Sequence, residues 1–472
     1  MRRWLRWLIP IVLAAGSIGG CATAWRIEAA VPPERPGSAQ AQPLTPVLSV
    51  RRVPDVVAAP IAARRLYADL DALVQELPPD SCIVVEGPDV RYDHRGAVPL
   101  VPASTTKLLT ATAALLALGP DARLRTSAQA GAPVVGGVLA GDLTLVGGGD
   151  PLLATADYMA RFRRQPQTFT DLDSLAAAVH DAGVRRVTGS VVGDETRYDG
   201  QRYLPSWPSR YRDQHAVGPL SGLAVNDGFA RFPTPDDAGE PLEPAADPAA
   251  SSAAVFTTLL EARGVEVAGD PRAGVAPPGA VEIAGVESPP LLDVLGQLLQ
   301  ESDNNTGELL LKEVGRAEGD ATTVGGAAAV RRLLGDGGLE LDDANVVDGS
   351  GLSLDNRVTC DLLVDVLVRR ETGELLADRL SVAGETGTLD RRFAGTPLAG
   401  VLRGKTGSLR SVAALAGLVA DDDPALTFAL IVNAPAGASL PEGSDATQAR
   451  LGEILATWPR TPDADVLGPV AE

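Results

Sequence analysis

The sequence predicts a mixed α/β (α+β) fold, and three observations carry this prediction. Apolar residues recur at helical spacing in residues 66–77 and 105–118, and the second stretch is apolar on most faces, which is typical of a buried helix. Residues 121–288 are instead rich in glycine, proline and short β-branched runs, which indicates a β-rich segment. Near the end, apolar runs at 413–420 and 426–432 flank an acidic turn, so we expect an antiparallel strand pair there.

The remaining elements follow from the same rules. A diproline at 78–79 ends the first helix, and a Gly-Pro pair at 119–120 ends the second. In chain order we further predict strands at 82–85 and 90–98, strand-like residues 135–146, a turn at 147–151, a helix at 172–180, a strand at 187–192, a surface loop at 233–251, and helices at 291–299, 306–314, 327–334 and 362–369.

Composition bounds the function classes. The 472 residues are enough for two or three domains at ~150 residues each. With 45% hydrophobic and 22% charged residues, the chain is not a disordered protein. The net charge of −20 would repel phosphate backbones, so we expect no nucleic-acid partner. Three of the 41 basic residues are lysines, and a lysine can give up its proton where arginine cannot.

The N-terminus predicts export. Three arginines within the first six residues precede an uncharged run that ends at Trp25, the pattern of a secretory signal or membrane anchor over residues 1–25. The run contains Ile-Gly-Gly-Cys, which resembles a bacterial lipobox with Cys21 as the lipidated residue. A cleaved signal, an uncleaved anchor and a lipoprotein remain open. All three place the protein outside the bacterial cytoplasm, in contact with the membrane only through its N-terminus.

The rest of the chain divides into a linker, segments of different texture and a tail. Residues 26–60 carry seven prolines among small and polar residues, which predicts an extended linker. Residues 121–288 differ in texture from the segments 61–120 and 289–460 on either side, and we expect residues 461–472 to form a tail.

Ser104 and Lys107 are the first candidate pair for chemistry. They lie three residues apart at a helix start, so one helical turn places both side chains on one face. A serine hydroxyl is a poor nucleophile until a base takes its proton, and a lysine is such a base when burial or a second cation lowers its pKa. The alternative for Ser104 is a helix N-cap.

A second motif, Ser302-Asp303-Asn304, follows an apolar helix. A serine and an asparagine two residues apart at a helix end can both point into one cleft. The alternatives are that Ser302 or Asp303 caps a helix and that Asn304 is a turn residue.

The third motif is Lys405-Thr406-Gly407-Ser408, which leads into the apolar run at 413–420. On an edge strand, alternation places Lys405 and Gly407 on one face and Thr406 and Ser408 on the other. Gly407 would leave room for a substrate backbone. The alternative for Lys405 is a solvated strand charge.

These three motifs together form the set found in β-lactamases and penicillin-binding proteins. At these residues the chain resembles the D-alanyl-D-alanine carboxypeptidase/endopeptidase family, the low-molecular-mass class C penicillin-binding proteins, over roughly residues 62–458. Further stretches resemble that family at 145–151, 348–353 and 355–359. The resemblance implies that residues 61–120 and 289–460 form a catalytic domain with a β-lactamase/transpeptidase-like sheet flanked by helices. It also implies that residues 121–288 are an inserted accessory region that interrupts this domain.

The resemblance also implies roles for each motif. Ser104 would attack the carbonyl between two D-alanines, with Lys107 as general base. Ser302 would relay a proton to the leaving amine, while Asn304 holds the substrate's peptide. The terminal carboxylate would bind Lys405, Thr406, Gly407 and Ser408, and the backbone N–H groups of Ser104 and Ser408 would form the oxyanion hole. A nearby Lys405 would lower the pKa of Lys107 by like-charge repulsion.

Other residues are assigned to structure. The third lysine, Lys312, is interpreted as a surface ion pair with Glu308 and Glu313, and Asp348 and Asp355 as turn or cap groups. The three histidines are far apart and the cysteines are not closely spaced, so we expect no metal and no cofactor. Cys82 and Cys360 could pair after export or remain buried thiols.

Three functions compete. The first is a serine D-Ala-D-Ala carboxypeptidase acting on peptidoglycan stem peptides and inhibited covalently by β-lactams, with endopeptidase activity left open. The second is a β-lactamase or esterase on the same fold, against which the long insertion argues. The third is a non-catalytic wall-binding lipoprotein, against which the intact motifs argue.

Overall fold

The structure, a computed structural model, describes residues 54–161, 168–234, 239, 241–420, 426–435, 437–440 and 445–458. The predicted signal segment with Cys21, most of the linker, the acidic turn and the tail lie outside the described residues. The site described below belongs to one unit that spans Ala58–Thr461. Within the described part of the chain, no helix has the length and apolar character needed to cross a membrane.

The helices alternate with strands along the chain, as in a mixed α/β protein. They are Pro54–Val74 (α1), Thr106–Leu118 (α2), Ala156–Met159 (α3), Leu172–Asp181 (α4), Ser209–Asp213 (α5), Pro248–Ala262 (α6), Leu291–Glu301 (α7), Asn304–Ala317 (α8), Thr323–Asp336 (α9), Cys360–Val368 (α10), Gly373–Ala377 (α11) and Asp445–Leu455 (α12), with 3₁₀ turns at Ala103–Thr105, Val225–Gly228 and Gly387–Leu389.

The strands fall into one large sheet and several smaller ones. They are Ser81–Gly87 (β1), Val90–His94 (β2), Arg125–Ala130 (β3), Val134–Val135 (β4), Val138–Leu139 (β5), Leu143–Val146 (β6), Leu153–Ala154 (β7), Thr170–Asp171 (β8), Arg186–Val187 (β9), Val191–Asp194 (β10), Phe229–Arg231 (β11), Glu243–Pro244 (β12), Glu266–Val267 (β13), Arg272–Ala273 (β14), Val281–Glu287 (β15), Ser381–Val382 (β16), Leu402–Leu409 (β17), Val412–Val419 (β18) and Leu426–Asn433 (β19).

The large sheet has the order β16-β17-β18-β19-β1-β2 and is antiparallel throughout. Because side chains alternate along a strand, each face of this sheet has its own core. Cys82 and Val84 pack with the apolar sides of α2 and α7–α10, whereas Ile83 and Val85 pack with α1 and α12. The strand pair predicted at 413–420 and 426–432 is confirmed as β18 and β19.

A disulfide joins the sheet to the helical layer. Cys82 in β1 and Cys360 at the start of α10 are bonded, with Cα atoms 6.1 Å apart and 278 residues between them in sequence. Of the two states that the sequence left open, the structure has the pair rather than two free thiols.

Within the described residues, every strand from β3 to β15 pairs only with others of that group. Five of these strands form a sheet in the order β14-β10-β6-β3-β15. Helices α4 and α6 cover it with a separate apolar core. We therefore propose that residues 121–288 form an inserted region with its own core.

Several element boundaries differ from the prediction. The linker was placed up to residue 60, but α1 begins at Pro54, because proline is compatible with the first turn of a helix. The loop predicted at 233–251 ends early, because Asp247 accepts a hydrogen bond from the Ala250 N–H and Pro248 follows as the first residue of α6. The strand predicted at 187–192 is divided between β9 and β10.

Candidate active site

Ser104 lies in a 3₁₀ turn that is held tightly between two other segments. A Cβ atom on Gly407 of β17 would lie 2.7 Å from the carbonyl oxygen of Pro102, and one on Gly351 would collide with the carbonyl of Ala103. Because Gly407 has no side chain, the backbone at Pro102 packs closely against β17 beside Ser104. The expectation that Gly407 leaves this room for a substrate backbone is therefore wrong. The N-cap of α2 is Thr105, so the cap interpretation of Ser104 is wrong.

Lys107 is the second residue of the buried helix α2 and is itself completely buried. Its Nζ donates hydrogen bonds to Ser104 Oγ at 3.0 Å, Asn304 Oδ1 at 2.8 Å and the carbonyl oxygen of Ser350 at 2.7 Å. Lys107 Nζ therefore connects Ser104 of the first motif with Asn304 of the second.

Burial lowers the pKa of Lys107 to about 8, because an ammonium ion loses its hydration there. The carboxyl groups of Asp303, Asp348 and Glu308 partly offset this effect, because they raise the pKa of Lys107. Of the two expected causes of a lowered pKa, burial and repulsion by Lys405, burial is the one that acts here. A lysine with such a pKa exists in both protonation states near neutral pH.

The second motif connects two helices. Ser302 ends α7 with a left-handed backbone, at φ 59°, which is uncommon for a residue other than glycine. Asp303 caps α8 by accepting a hydrogen bond from the Thr306 N–H, so the cap interpretation holds for this residue. Asn304 is the first residue of α8, and its Nδ2 donates to the carbonyl oxygen of Ala216 at 2.6 Å.

The third motif lies on β17 and reaches the second. Lys405 is completely buried, and its Nζ donates to Ser302 Oγ at 2.8 Å and to the carbonyl oxygen of Thr406 at 2.9 Å. The interpretation of Lys405 as a solvated charge on a strand is therefore wrong. Thr406 Oγ1 donates to Thr388 Oγ1 at 2.9 Å, while Ser408 is exposed.

The short strand β16 gives β17 a free edge next to this motif. β16 pairs only with Arg403 and Gly404, so residues 405–409 extend beyond it. The unpaired N–H and C=O groups of such an edge can form main-chain hydrogen bonds with an extended peptide.

Sequence reasoning missed several residues around Lys107. Asp348 is completely buried and accepts hydrogen bonds from the N–H groups of Gly351 and Ser353 and from Asn356 Nδ2 and Trp207 Nε1, at 2.6–2.8 Å. The resemblance at 348–353 was a signal for this loop, but nothing in the sequence connects it to Trp207, 141 residues away.

The interpretation of Lys312 as part of a surface ion pair is wrong. Its side chain is 1% exposed and pairs with Asp199 of the inserted region. Glu308 and Glu313 are also buried, and Glu313 binds Arg197 at 2.6 Å. These charges look like a solvated helix face in the sequence, but the inserted region and the 348–353 loop cover them.

No group of three His, Cys, Asp or Glu side chains that could hold a metal ion is present in the described ranges. The groups that meet at the site are the hydroxyls of Ser104 and Ser302, the amines of Lys107 and Lys405, and the amide of Asn304.

Comparison with known proteins identifies the family. The model of the D-Ala-D-Ala carboxypeptidase 3 (S13) family matches residues 69–245 and 243–453. Carboxypeptidase DacB of Mycolicibacterium smegmatis is 35% identical over 360 residues, covering 72% of this chain and 73% of the relative. The D-alanyl-D-alanine carboxypeptidase of Actinomadura sp. is 31% identical over 440 residues, covering 77% and 78%.

A solved structure agrees in fold. Penicillin binding protein 4 (dacB) from Haemophilus influenzae superimposes with a TM-score of 0.67 at 22% identity, covering 82% of this chain and 98% of that one. The family match spans nearly the whole described chain and two relatives exceed 30% identity, so this chain belongs to the D-Ala-D-Ala carboxypeptidase 3 (S13) family of peptidases.

Proposed function

We propose that this protein is a serine-type DD-carboxypeptidase that removes the terminal D-alanine from peptidoglycan stem peptides through an acyl-enzyme on Ser104. The observation that carries the proposal is the contact between Lys107 Nζ and Ser104 Oγ at 3.0 Å, with burial lowering the pKa of the amine to about 8. A hydroxyl beside a base of that strength is an activated nucleophile.

Acylation needs the neutral form of Lys107. The amine then accepts the proton of Ser104 while Oγ attacks the carbonyl between the two D-alanines. The tetrahedral oxyanion receives hydrogen bonds from the backbone N–H groups of Ser104 and Ser408. When the peptide bond breaks, the proton that Lys107 accepted passes through Ser302 to the leaving amine, so Lys107 is neutral again and free D-alanine departs. In the second half, Lys107 removes a proton from the water that attacks the ester, and it returns this proton to Ser104 Oγ as the ester bond breaks.

The third motif binds the part of the substrate that leaves. The buried ammonium of Lys405, together with Thr406, Gly407 and Ser408, receives the terminal carboxylate, since a charge-assisted hydrogen bond is stronger than a neutral one. Lys405 also donates to Ser302 Oγ, which orients the proposed proton relay. The free edge of β17 aligns the peptide backbone.

Asn304 has a divided role in this proposal. One amide hydrogen and one lone pair are used by Ala216 and Lys107. A carboxamide has two donors and two acceptor positions, so half of its capacity remains for the substrate's peptide group.

We further propose that β-lactams acylate Ser104 and that the protein is exported, as its N-terminal sequence indicates. The Haemophilus influenzae penicillin binding protein 4 has been solved in complex with a β-lactam, which supports the first statement. Endopeptidase activity on cross-linked peptides would use the same serine and is tested with a cross-linked dimer as substrate.

One experiment separates the competing functions. The protein is incubated with fluorescent penicillin, and D-alanine release from a pentapeptide ending in D-Ala-D-Ala is followed in parallel. Stable labelling together with D-alanine release is the expected result. Rapid loss of label with hydrolysis of the antibiotic would instead support a β-lactamase, and neither label nor release would support a non-catalytic protein.

A further inference from the structure

Glu308 is a buried carboxyl group that the proposed mechanism does not use. It lies one turn after Asn304 in α8 and is completely inaccessible to solvent. Its Oε1 accepts hydrogen bonds from the N–H groups of Gly349 at 3.1 Å and Ser350 at 2.8 Å. Within the described chain it forms no salt bridge, and its Oε2 has no hydrogen-bond partner. A buried carboxyl group without a cationic partner is costly and calls for an explanation.

The peptide that Glu308 holds is the one that contacts Lys107. Both N–H groups of Gly349 and Ser350 point to Glu308, whereas both carbonyl groups point to α2. The carbonyl of Ser350 accepts from Lys107 Nζ at 2.7 Å, and that of Gly349 accepts from Thr110 Oγ1 at 2.9 Å. This dipeptide is therefore fixed between the carboxyl of Glu308 on one side and the helix of the nucleophile on the other.

The close approach is built into the backbone. A Cβ atom on Gly349 would collide with the carbonyl of Gly307, and one on Gly307 would lie 3.0 Å from the carbonyl oxygen of Gly349. Only glycine at both positions lets the loop come near enough for Glu308 to reach both N–H groups.

We propose that Glu308 is a positioning residue for Lys107. It holds the Gly349-Ser350 peptide so that the Ser350 carbonyl fixes Nζ beside Ser104, and it does so while adding little negative charge next to the amine. This inference rests on the proposed role of Lys107 as general base.

The electrostatics of the cluster agree with this role. Burial, followed by the charge of Asp348, raises the pKa of Glu308 to about 8, so the group is mostly protonated at neutral pH. A charged Glu308 would favour the ammonium form of Lys107, which is not a base. The other charged groups that face the amine are Asp303 at the start of α8 and Asp348 in the loop, with Lys405 on the far side of Ser302.

The test compares acylation by fluorescent penicillin across pH 6–10 in the wild-type protein and three variants. Glu308→Gln keeps an acceptor for both N–H groups but has no charge. We expect a maximal rate near that of the wild type and an acid limb that moves by no more than a few tenths of a pH unit, roughly, because a protonated carboxyl adds as little charge beside the amine as the amide does. Glu308→Ala removes the acceptor, and we expect a loss of roughly tenfold or more at every pH.

Glu313→Gln is the matched control, since Glu313 is a buried carboxylate on the same helix that binds Arg197 and not the loop. It should leave the pH midpoint of the folded protein unchanged. If the acid limb in Glu308→Gln moves to lower pH by about one unit or more while that in Glu313→Gln does not, Glu308 carries a charge beside Lys107 and the inference is wrong. Full acylation by a folded Glu308→Ala variant would overturn it as well. If the wild-type protein itself is not labelled on Ser104, the proposed function fails, which is a distinguishable result.

Discussion

Lys107 shows how a side chain obtains reactivity from partners that are remote in sequence. Its nitrogen contacts Ser104 three residues away, Asn304 197 residues away and Ser350 243 residues away. The local pair was predictable, because a helix places residues three apart on one face. The Ser350 contact was not, because a backbone carbonyl carries no sequence signal. Burial and a second cation were both expected causes of the lowered pKa, and the sequence could not decide between them, since burial depends on the whole fold.

The first prediction is that Lys107→Arg is nearly as inactive as Lys107→Ala. Arginine keeps the positive charge but does not lose its proton at any pH at which the protein is folded, so it cannot act as a base. The measurement is the rate of penicillin acylation. In the wild-type protein that rate should rise with pH through about 8, as the pKa of Lys107 requires. Near-normal acylation by the arginine variant would mean that Lys107 has only an electrostatic role.

The second prediction concerns Lys405→Ala. If its ammonium binds the terminal carboxylate, the variant should lose about 1.5–3 kcal/mol of binding energy for substrates with that charge, on the order of ten- to a hundredfold in acylation rate. A C-terminally amidated peptide should lose much less, and it also controls for any disturbance of Ser302. Equal losses with both peptides, together with a shifted pH profile, would mean that Lys405 acts on Lys107 instead.

At the scale of elements, α8 connects the active site to the inserted region. Its first residue contacts Lys107, its second turn holds the 349–350 peptide, and its third turn binds Asp199 and Arg197 through Lys312 and Glu313. The helix was predicted at 306–314 and is observed at 304–317. Its burial was not predicted, because charged residues on several faces resemble a surface helix until their partners, 41–116 residues away, are in place.

The third prediction is that Trp207→Phe weakens both stability and acylation. Its Nε1–H donates to the buried carboxylate of Asp348 at 2.8 Å, and losing a hydrogen bond to a charged group should cost about 1.5–3 kcal/mol of unfolding free energy. Because Asp348 organises the loop that contacts Lys107, acylation should slow several-fold. Trp458→Phe is the matched control, since the buried Nε1 of Trp458 has no hydrogen-bond partner among the described residues. Equal stability and activity in the two variants would contradict the role of this contact.

At the scale of the whole molecule, a net charge of −20 coexists with buried carboxyl groups whose pKa values are raised. Burial raises the pKa of Asp150 to about 6, and burial together with Asp303 raises that of Asp227 to about 8.

The fold class and the three motifs followed from the sequence. The pairing of Cys82 with Cys360 was left open, and the buried charges were not foreseen, because both depend on contacts across the fold.

The fourth prediction is that stability falls as pH rises from 5 to 8. A carboxyl group whose pKa is raised in the folded state stabilises the fold below the unfolded pKa, and this contribution is lost as pH rises through the folded value. Glu308, Asp227 and Asp150 all act in this direction. The melting temperature should therefore be higher at pH 5 than at pH 8. Asp227→Asn, which cannot titrate, should flatten the dependence, and a melting temperature that rises toward pH 8 would contradict the prediction.

The most direct test of an acyl-enzyme on Ser104 is to locate the covalent adduct by mass spectrometry after treatment with penicillin. Opening the β-lactam ring expels no leaving group, so the account predicts an added mass equal to the whole antibiotic on the tryptic peptide 96–107. Fragmentation should place it on Ser104, the one serine in that peptide, and not on Thr105 or Thr106, whose hydroxyls are buried and bonded to backbone carbonyls. An adduct on any other residue, or the same adduct in Ser104→Ala, would contradict the account.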